Sequence, residues 1–561
     1  ELPSGHIMIP WMGGFYYNSG YEAPIPSKTE CRSLLQHIRL RGSAGYYTWS
    51  NGDNTNYTSK VDYRDDMYAN AWQPLDWFFS YPASEVIFNL ATNKTGGVEW
   101  SGMRRGNRCL FIFSNYTGNA VQVNLPGTVE NLPAQSPSIA SGEHLMMDYI
   151  VGPLSYWKLD ENTENNVYDK MEGNYSGTIT GASWSAGKNG SALTFDGIGG
   201  GVNFGDILDI GTKDRSVSLW FKTTDSSNQK SLISKGYSCT SNEFSLYLYS
   251  GNIIGLMDIN GTDYIVSSNQ TVNDGQWHHA VLTIARNDKM SLYLDGTLKA
   301  NVDVSAVASV NAQNNYNLYL GRSHYGQYFA GTIDEVKIFS SALTEQEVFD
   351  EYAAVLNLHF NERQDSTVAD DSIYSNDGTV SSGSWTNGKS GSCLNFTGGY
   401  DSFSVTDSSS LDLSSEISVE TWFYPTAYGS GYATFPVSKW ARYNTSTANF
   451  TMYFFGATAG SNYKKICFAA NAGGTWKTVS PTYSIDQLNT WYHIVWTYSA
   501  TNGGKLYVNG VSQGSAVGSG SLYINNSNVV IGDQVQGKID EVKIFNKALS
   551  EDEVIRQYNR Y

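Results

Sequence analysis

Gly331–Phe339 reads GTIDEVKIF and Gly537–Phe545 reads GKIDEVKIF, so one chain writes nearly the same strand twice. The match runs on as A-L-x-E-x-E-V-x-x-x-Y and ends at Tyr352 in the first copy and Tyr558 in the second. Upstream, GASWSAGKNGSALTF at Gly181 to Phe195 recurs around Trp385, Gly388, Lys389, Gly391 and Phe396. Between these ends lie SVSLWF at Trp220 with SVETWF at Trp422, QWHHAVLTI at Trp277 with TWYHIVWTY at Trp491, and SLYLDG at Tyr293 with KLYVNG at Tyr507. The order is the same in both halves, which is the mark of one structural unit made twice.

Each matched piece alternates apolar and polar residues over five to eight positions and is bounded by DG, NG or GG, the pattern of short antiparallel strands joined by tight turns. Only the ALTEQEVFDEY and ALSEDEVIRQY tails have helical spacing. Copies of roughly 200 residues with many such strands fit a two-sheet sandwich of jelly-roll type closed by a short helix. The reading is mainly β, with homologous domains over residues 154–353 and 354–561. In the repeated strand, period-2 alternation predicts Ile, Val and Phe facing inward, with Asp and Lys toward loops or solvent.

Composition agrees. The 561 residues exceed one hydrophobic core. Aromatics reach 14% while charged residues stay at 16%, too few for long amphipathic helices. A formal charge of −17 opposes nucleic acid or an anionic membrane as partner, because phosphate contact needs a concentrated basic face. No apolar run approaches the ~20 residues of a membrane span. Cys31, Cys109, Cys239, Cys393 and Cys467 lie far apart without a CxxC pair, which indicates neither a zinc site nor a disulfide-dense scaffold. Eleven N-x-S/T sequons suit a secreted glycoprotein, although an Asn-, Ser- and Thr-rich chain yields about that number by chance. Residues 1–20 lack the pattern of a signal peptide.

The ordered series S-V-x-x-W-F, W-x-H-x-V, L-Y-x-[DN]-G and G-x-I-D-E-V-x-I-[FY] over residues 154–561 resembles the laminin-G-like, concanavalin A-like jelly-roll domains found beside secreted carbohydrate-active enzymes and adhesins. The resemblance implies a structural Ca²⁺ near the junction of first and last strands. The oxygen donors at that place are Asp160, Asp169, Asn174 and Asp334 in the first copy and Asn361, Asp370, Asn376 and Asp540 in the second, a residue type that suits calcium. The alternative is that Asp334 and Asp540 cap turns or pair with lysine. Asn361 in place of Asp160 removes one charge from the second set.

Aromatic rings stack on sugar faces, and Tyr325, Tyr328, Tyr428, Tyr432, Trp440 and Trp476 lie in or beside Gly-, Ser- or Asn-rich stretches. They are the carbohydrate-binding candidates, with packing within their own loops as the alternative. Trp220, Trp422, Trp277 and Trp491 sit in repeated strands and are read as core.

No part of the repeat precedes Gly152-Pro153. Residues 1–85 read as strand, helix, strand and helix, and 86–151 as the hairpins of a small β-sandwich. Together they resemble the C-terminal end of a (β/α)-barrel glycoside hydrolase with its accessory sandwich. A full barrel needs about 250 residues, and paired carboxylates on different strand ends are missing: the first strand ends at Gly13-Gly14, and Asp53, Asp62, Asp65 and Asp66 read as loop and helix N-terminal acids. No Ser-His-Asp context, G-x-S-x-G elbow or HExxH is present, so no catalytic residue is assigned.

The expectation is an extracellular or cell-surface protein recognising polysaccharide or glycoprotein glycans, as a non-catalytic part of a glycoside-hydrolase-like modular protein. Two alternatives stay open: a subunit of an extracellular filament, sheath or surface layer contacting copies of itself, and the C-terminal portion of a secreted polysaccharide hydrolase.

Overall fold

The structure is a computed structural model that describes residues 152–561, apart from 164, 172–174, 237–241, 363–365, 400–402, 441–447, 479–482 and 515–517, together with the strand backbones between 85 and 150. The barrel-like reading of residues 1–84 lies outside the described residues. Val98–Arg105 and Arg108–Asn115 form the expected hairpin, within a sheet that also takes in Glu85–Val86, Lys94–Thr95 and His144–Ile150. These strands belong to a compact unit distinct from the one formed by Leu154–Tyr561.

The repeat folds as two antiparallel sandwiches of identical strand order. In the first, the sheet holding Ala330–Phe339 runs Ala182–Ala186, Ser191–Asp196, Ala330–Phe339, Arg215–Lys222, Trp277–Ile284, Lys289–Leu294 and Thr297–Asp303, with Pro153–Trp157 also pairing Ala330–Phe339. The facing sheet runs from Asn166–Val167 through Gly177–Thr180, Gly201–Asn203, Leu318–Leu320, Lys230–Lys235, Phe244–Tyr249 and Asn252–Ile259 to Thr262–Thr271. The second copy repeats this with Gln536–Phe545 in the central place and Ala433–Lys439 in the position of Lys230–Lys235. Each sandwich encloses its own core: Leu193, Val217, Phe221 and Ile333 meet Val202, Leu232 and Leu246 in the first, and Leu394, Val419 and Ile539 meet Phe403, Val437 and Met452 in the second.

The repeated strand departs from strict alternation. Glu335 and Glu541 take left-handed φ of 50° and 49°, and the register against the next strand shifts at this point, between Ser218 and Trp220 and between Glu420 and Trp422. The bulge puts Asp334 and Glu335 on separate paths. Of the expectation that Asp and Lys face loops or solvent, the aspartates do meet loop backbone, but the solvent part is corrected: Asp334, Glu335 and Lys337 are 0–3% exposed, and Asp540, Glu541 and Lys543 are fully buried. Their side of the sheet is covered by a helix and, at the joint, by the other copy.

That helix is α1, Glu345–Ala353, and its counterpart α2, Glu551–Asn559. Both begin with a complete capping box, Thr344 with Glu347 and Ser550 with Glu553, which satisfies two otherwise orphaned N–H groups at each N-terminus. Helix α1 hands directly into the first strand of the second sandwich, Ala354–Leu358, with no linker. Its Val348 packs on Val281, Tyr293, Phe339 and Leu343 of the first copy, while Phe349 and Ala353 join Val495, Tyr507, Phe545 and Val554 of the second. One helix therefore serves two sandwiches.

Candidate functional site

The residues proposed as metal donors are held by backbone amides. Asp334 Oδ2 accepts N–H bonds from Lys188 at 2.7 Å and Asn189 at 3.1 Å, and Oδ1 accepts from Glu335 N. Asp160 Oδ1 accepts from Ser191 N at 2.7 Å. The two carboxylates thus grip one turn, G-K-N-G-S, from both sides, and that is why its glycines recur. A Cβ on Gly187 would lie 2.5 Å from Asp334 Oδ2, and one on Gly190, at φ +59°, 2.2 Å from Asp160 Oδ1. In the second copy Asp540 takes Lys389 N and Ser390 N, and Asn361 Oδ1 takes Ser392 N. An amide oxygen accepts one N–H as well as a carboxylate does, so the Asp-to-Asn exchange leaves the turn intact.

Asp169 and Asp370 form separate nodes. Asp169 accepts from the backbones of Tyr156, Met171 and Tyr175 and from the Ser155 hydroxyl. Asp370 accepts from Asn357, Ser372 and Asn376 N and from the Ser372 hydroxyl. The Asn376 amide donates to Val355 O and Ser410 Oγ. Asn174 lies outside the described residues. The described oxygens of Asp334, Asp540, Asp169 and Asp370 accept N–H and O–H hydrogens, whose partial positive charge would have to turn away before a divalent cation could take the same place.

Burial raises the Asp334 carboxyl to about 8, with Glu335 adding to the rise and the three N–H donors opposing it. Glu335 rises to about 7 by burial, with Tyr156, Lys337 and Lys158 restraining it. In the second copy burial also lifts Glu541, but His359 at 2.7 Å overcomes it and holds the carboxyl below its usual value.

The aromatic candidates divide between two places. Trp440 and Trp476 stack at 6.3 Å and 13°, and Trp440 also meets Phe435 at 5.2 Å and Tyr453 at 6.2 Å. Tyr453 stacks on Phe455 at 5.6 Å, and Tyr432 meets Phe455 edge-on at 5.5 Å. Six rings make one cluster on the second sandwich, distinct from its inter-sheet core. Tyr432 is 58% exposed and Trp476 half-buried, whereas Trp440, Phe435 and Phe455 are buried beneath them. Cys467, its thiol pushed up to about 12 by burial, floors the cluster. Tyr428 goes elsewhere: it packs on the core edge beside Phe454, with its hydroxyl donating to Ile485 O and Asp486 O. Tyr325 and Tyr328 lie on the first sandwich.

Sequence reasoning passed over Phe435, Tyr453 and Phe455 because they sit in strands that alternate like core strands. Their signal is aromatic residues at both parities of FTMYFF, which one buried face cannot use. It also passed over Lys235 and Lys439. Each is buried and bridges two acids, Asp206 and Asp209 in one copy and Asp407 and Asp412 in the other; the recurrent Ser-Lys at the end of SLISKG and FPVSKW was the available clue. Of the tryptophans read as core, Trp220 and Trp422 are buried but lie outside the inter-sheet core. They stack on Tyr352 and Tyr558 of the closing helices, with Lys188 and Lys389 each 4.2 Å from a ring centre. Trp277 and Trp491 are only partly buried.

A pair of antiparallel β-sandwiches, each closed by a capped helix, defines the class. The laminin-G model described as the concanavalin A-like lectin/glucanases superfamily matches residues 196–349 and 397–555, and the chain belongs to that superfamily. Mouse pentraxin-related protein PTX3 is 28% identical over 136 residues, covering 24% of this chain, and the chain spans 35% of that relative's length. Among solved structures, domain 4 of a GH43 extracellular arabinanase from Geobacillus stearothermophilus, in complex with arabinotriose, is 23% identical with a TM-score of 0.30 over 36% of this chain and 97% of that one. Domains LG4-5 of the mouse laminin alpha1 chain are 15% identical with a TM-score of 0.21 over 61% and 86%.

Proposed function

We propose that the chain is a glycan-recognition part of an extracellular or cell-surface protein, with the aromatic cluster of the second sandwich as a sugar-binding surface. The observation that carries this reading is the convergence of Tyr432 and Trp440, which flank the strand Ala433–Lys439, with Trp476 of the strand Thr475–Thr478 on one cluster with Phe435, Tyr453 and Phe455. Sugar rings present C–H faces that stack on aromatic faces while their hydroxyls keep water or polar partners. The buried rings hold Trp476 and Tyr432 in place, so little conformational freedom is lost when a sugar docks. The superfamily's lectin and glucanase membership supports the same class of ligand.

The test is isothermal titration of the full chain against neutral oligosaccharides chosen from a glycan array. Trp476→Ala is expected to weaken binding at least tenfold, about 1.4 kcal/mol, with unchanged thermal unfolding, and Tyr432→Ala to weaken it less. Wild-type affinity in Trp476→Ala, or an array without a single hit, overturns the reading. Polymers in electron micrographs without added glycan would favour the assembly alternative.

A further inference from the structure

Among the described residues, the first sandwich shows a different aromatic group. The Arg322 guanidinium contacts two tyrosine rings, its carbon 4.9 Å from the Tyr319 ring centre and 5.1 Å from that of Tyr328. Its stem crosses Gly201, where a Cβ would lie 2.5 Å from Arg322 Cγ and Cδ, so the glycine makes room for the side chain. Nε donates to Ser323 O at 3.1 Å, and among the described residues no carboxylate pairs with Arg322. In a chain with 53 acids against 36 Lys and Arg, a held guanidinium without an acid partner is an unspent anion-binding group. Asp206 and Asp209 of the same sandwich are taken by Lys235, whose ammonium also donates to Tyr316 O.

The loop that carries Arg322 is built for display. Gly321 to Gly331 spans GRSHYGQYFAG, whereas the second copy joins the equivalent Gly532 and Gly537 by GDQVQG. Gly321 and Gly532 are equivalent because each packs against the matching phenylalanine, Phe195 or Phe396. Arg322 thus stands where the second copy has Asp533. The Ser323 hydroxyl accepts from Tyr325 N and Gln327 N, which folds the extension back on itself and leaves Tyr325 51% exposed beside the exposed His324. Where this loop meets the sheet, Ser231 bonds Gln327 O through its N–H while its buried hydroxyl has no partner.

We propose that Arg322, clamped by Tyr319 and Tyr328, is a second binding site that takes the carboxylate of an acidic sugar, a uronate residue, with Tyr325 beside it as a stacking ring. The two ring contacts and the Nε bond to Ser323 O hold the guanidinium in place, and its terminal N–H groups are the donors left to meet a planar carboxylate. The chain's charge of −17 disfavours a densely sulfated polymer through long-range repulsion, which selects a lightly charged glycan. The site is independent of the aromatic cluster on the second sandwich.

The experiment is titration of the full chain with tri-galacturonate, its methyl ester and a sulfated disaccharide. Tri-galacturonate is expected to bind and the methyl ester to bind at least tenfold more weakly. Arg322→Gln is expected to abolish this preference without shifting thermal unfolding, Arg322→Lys to restore it only in part, and Trp476→Ala to leave it unchanged. Equal binding of acid and ester, tighter binding of the sulfated probe, or an Arg322→Gln variant that keeps the preference overturns the proposal. Loss of the preference in Trp476→Ala also overturns it, since the acid would then sit on the other sandwich.

Discussion

Asp334 and Asp540 illustrate how a single side chain can organise a turn. Each accepts three backbone N–H groups, so removing it would leave several buried donors unsatisfied. The complementary test is steric. Gly388→Ala would place a methyl 2.4 Å from Asp540 Oδ2, and a loss of about 2 kcal/mol or more is expected in urea unfolding; a change within about 0.5 kcal/mol would show that the turn shifts freely. Because these oxygens already face N–H donors, chelation of calcium with EDTA is expected to leave thermal unfolding in place. A drop of several degrees would instead show that calcium reorganises the donors. The same acids set a pH dependence. Asp334 and Glu335 have folded-state values raised to about 8 and about 7, so the folded state holds protons that the unfolded state has released. Their stabilisation is complete below about pH 4 and is lost as pH rises to about 8. His359, raised by Glu541 against the effect of burial, acts in the same direction. Urea midpoints are expected to fall from pH 5 to pH 8, less steeply in Asp334→Asn; a midpoint that rises over this range would contradict the account.

At the scale of elements, α1 matters most. Its Asp350 carboxylate receives Lys543 Nζ at 2.9 Å, Gln557 Nε2 at 2.8 Å and Arg560 at 2.6 Å, all from the second copy. Burial pushes Asp350 upward, yet the two cations overcome it and hold the carboxyl at about 2. Asp350→Ala would leave Lys543 buried without its carboxylate, and a loss of about 3–5 kcal/mol is expected, far above the ~1 kcal/mol expected for removing the cap with Thr344→Ala. Equal effects from the two variants would mean that the joint contributes nothing beyond the helix itself. In α2, Arg556 takes the place of Asp350 and Ile555 that of Phe349, and both are exposed. The repeat therefore conserves the helix and its inward face while the outward face has diverged.

For the two sandwiches together, the direct hand-over from α1 to Ala354, the shared helix and the contacts Lys158 to Ser375 and Asn189 to Ile373 O join Leu154–Tyr561 into one compact unit. Calorimetry is expected to show a single transition for this region, and Phe349→Ala combined with Asp350→Asn is expected to split it in two; two transitions in the wild type would show that the copies unfold independently. A rigid pair would hold the aromatic cluster and the Arg322 site at a fixed separation, so a glycan offering both chemistries would gain from effective concentration.

The chain itself, by its duplicated order of S-V-x-x-W-F, W-x-H-x-V, L-Y-x-[DN]-G and IDEVKIF, determined the two-sandwich fold, because alternation, turn residues and helical spacing are local signals. It also marked Trp440, Trp476 and Tyr432 as loop aromatics. Only the tertiary structure decided that these three meet while Tyr428 does not, that Asp334 grips a turn some 145 residues away, and that the acids of IDEVKIF are buried. Those outcomes depend on a bulge, on which sheet face a helix covers and on which copy packs against it. They arise from long-range packing, which period-2 alternation within a strand does not encode.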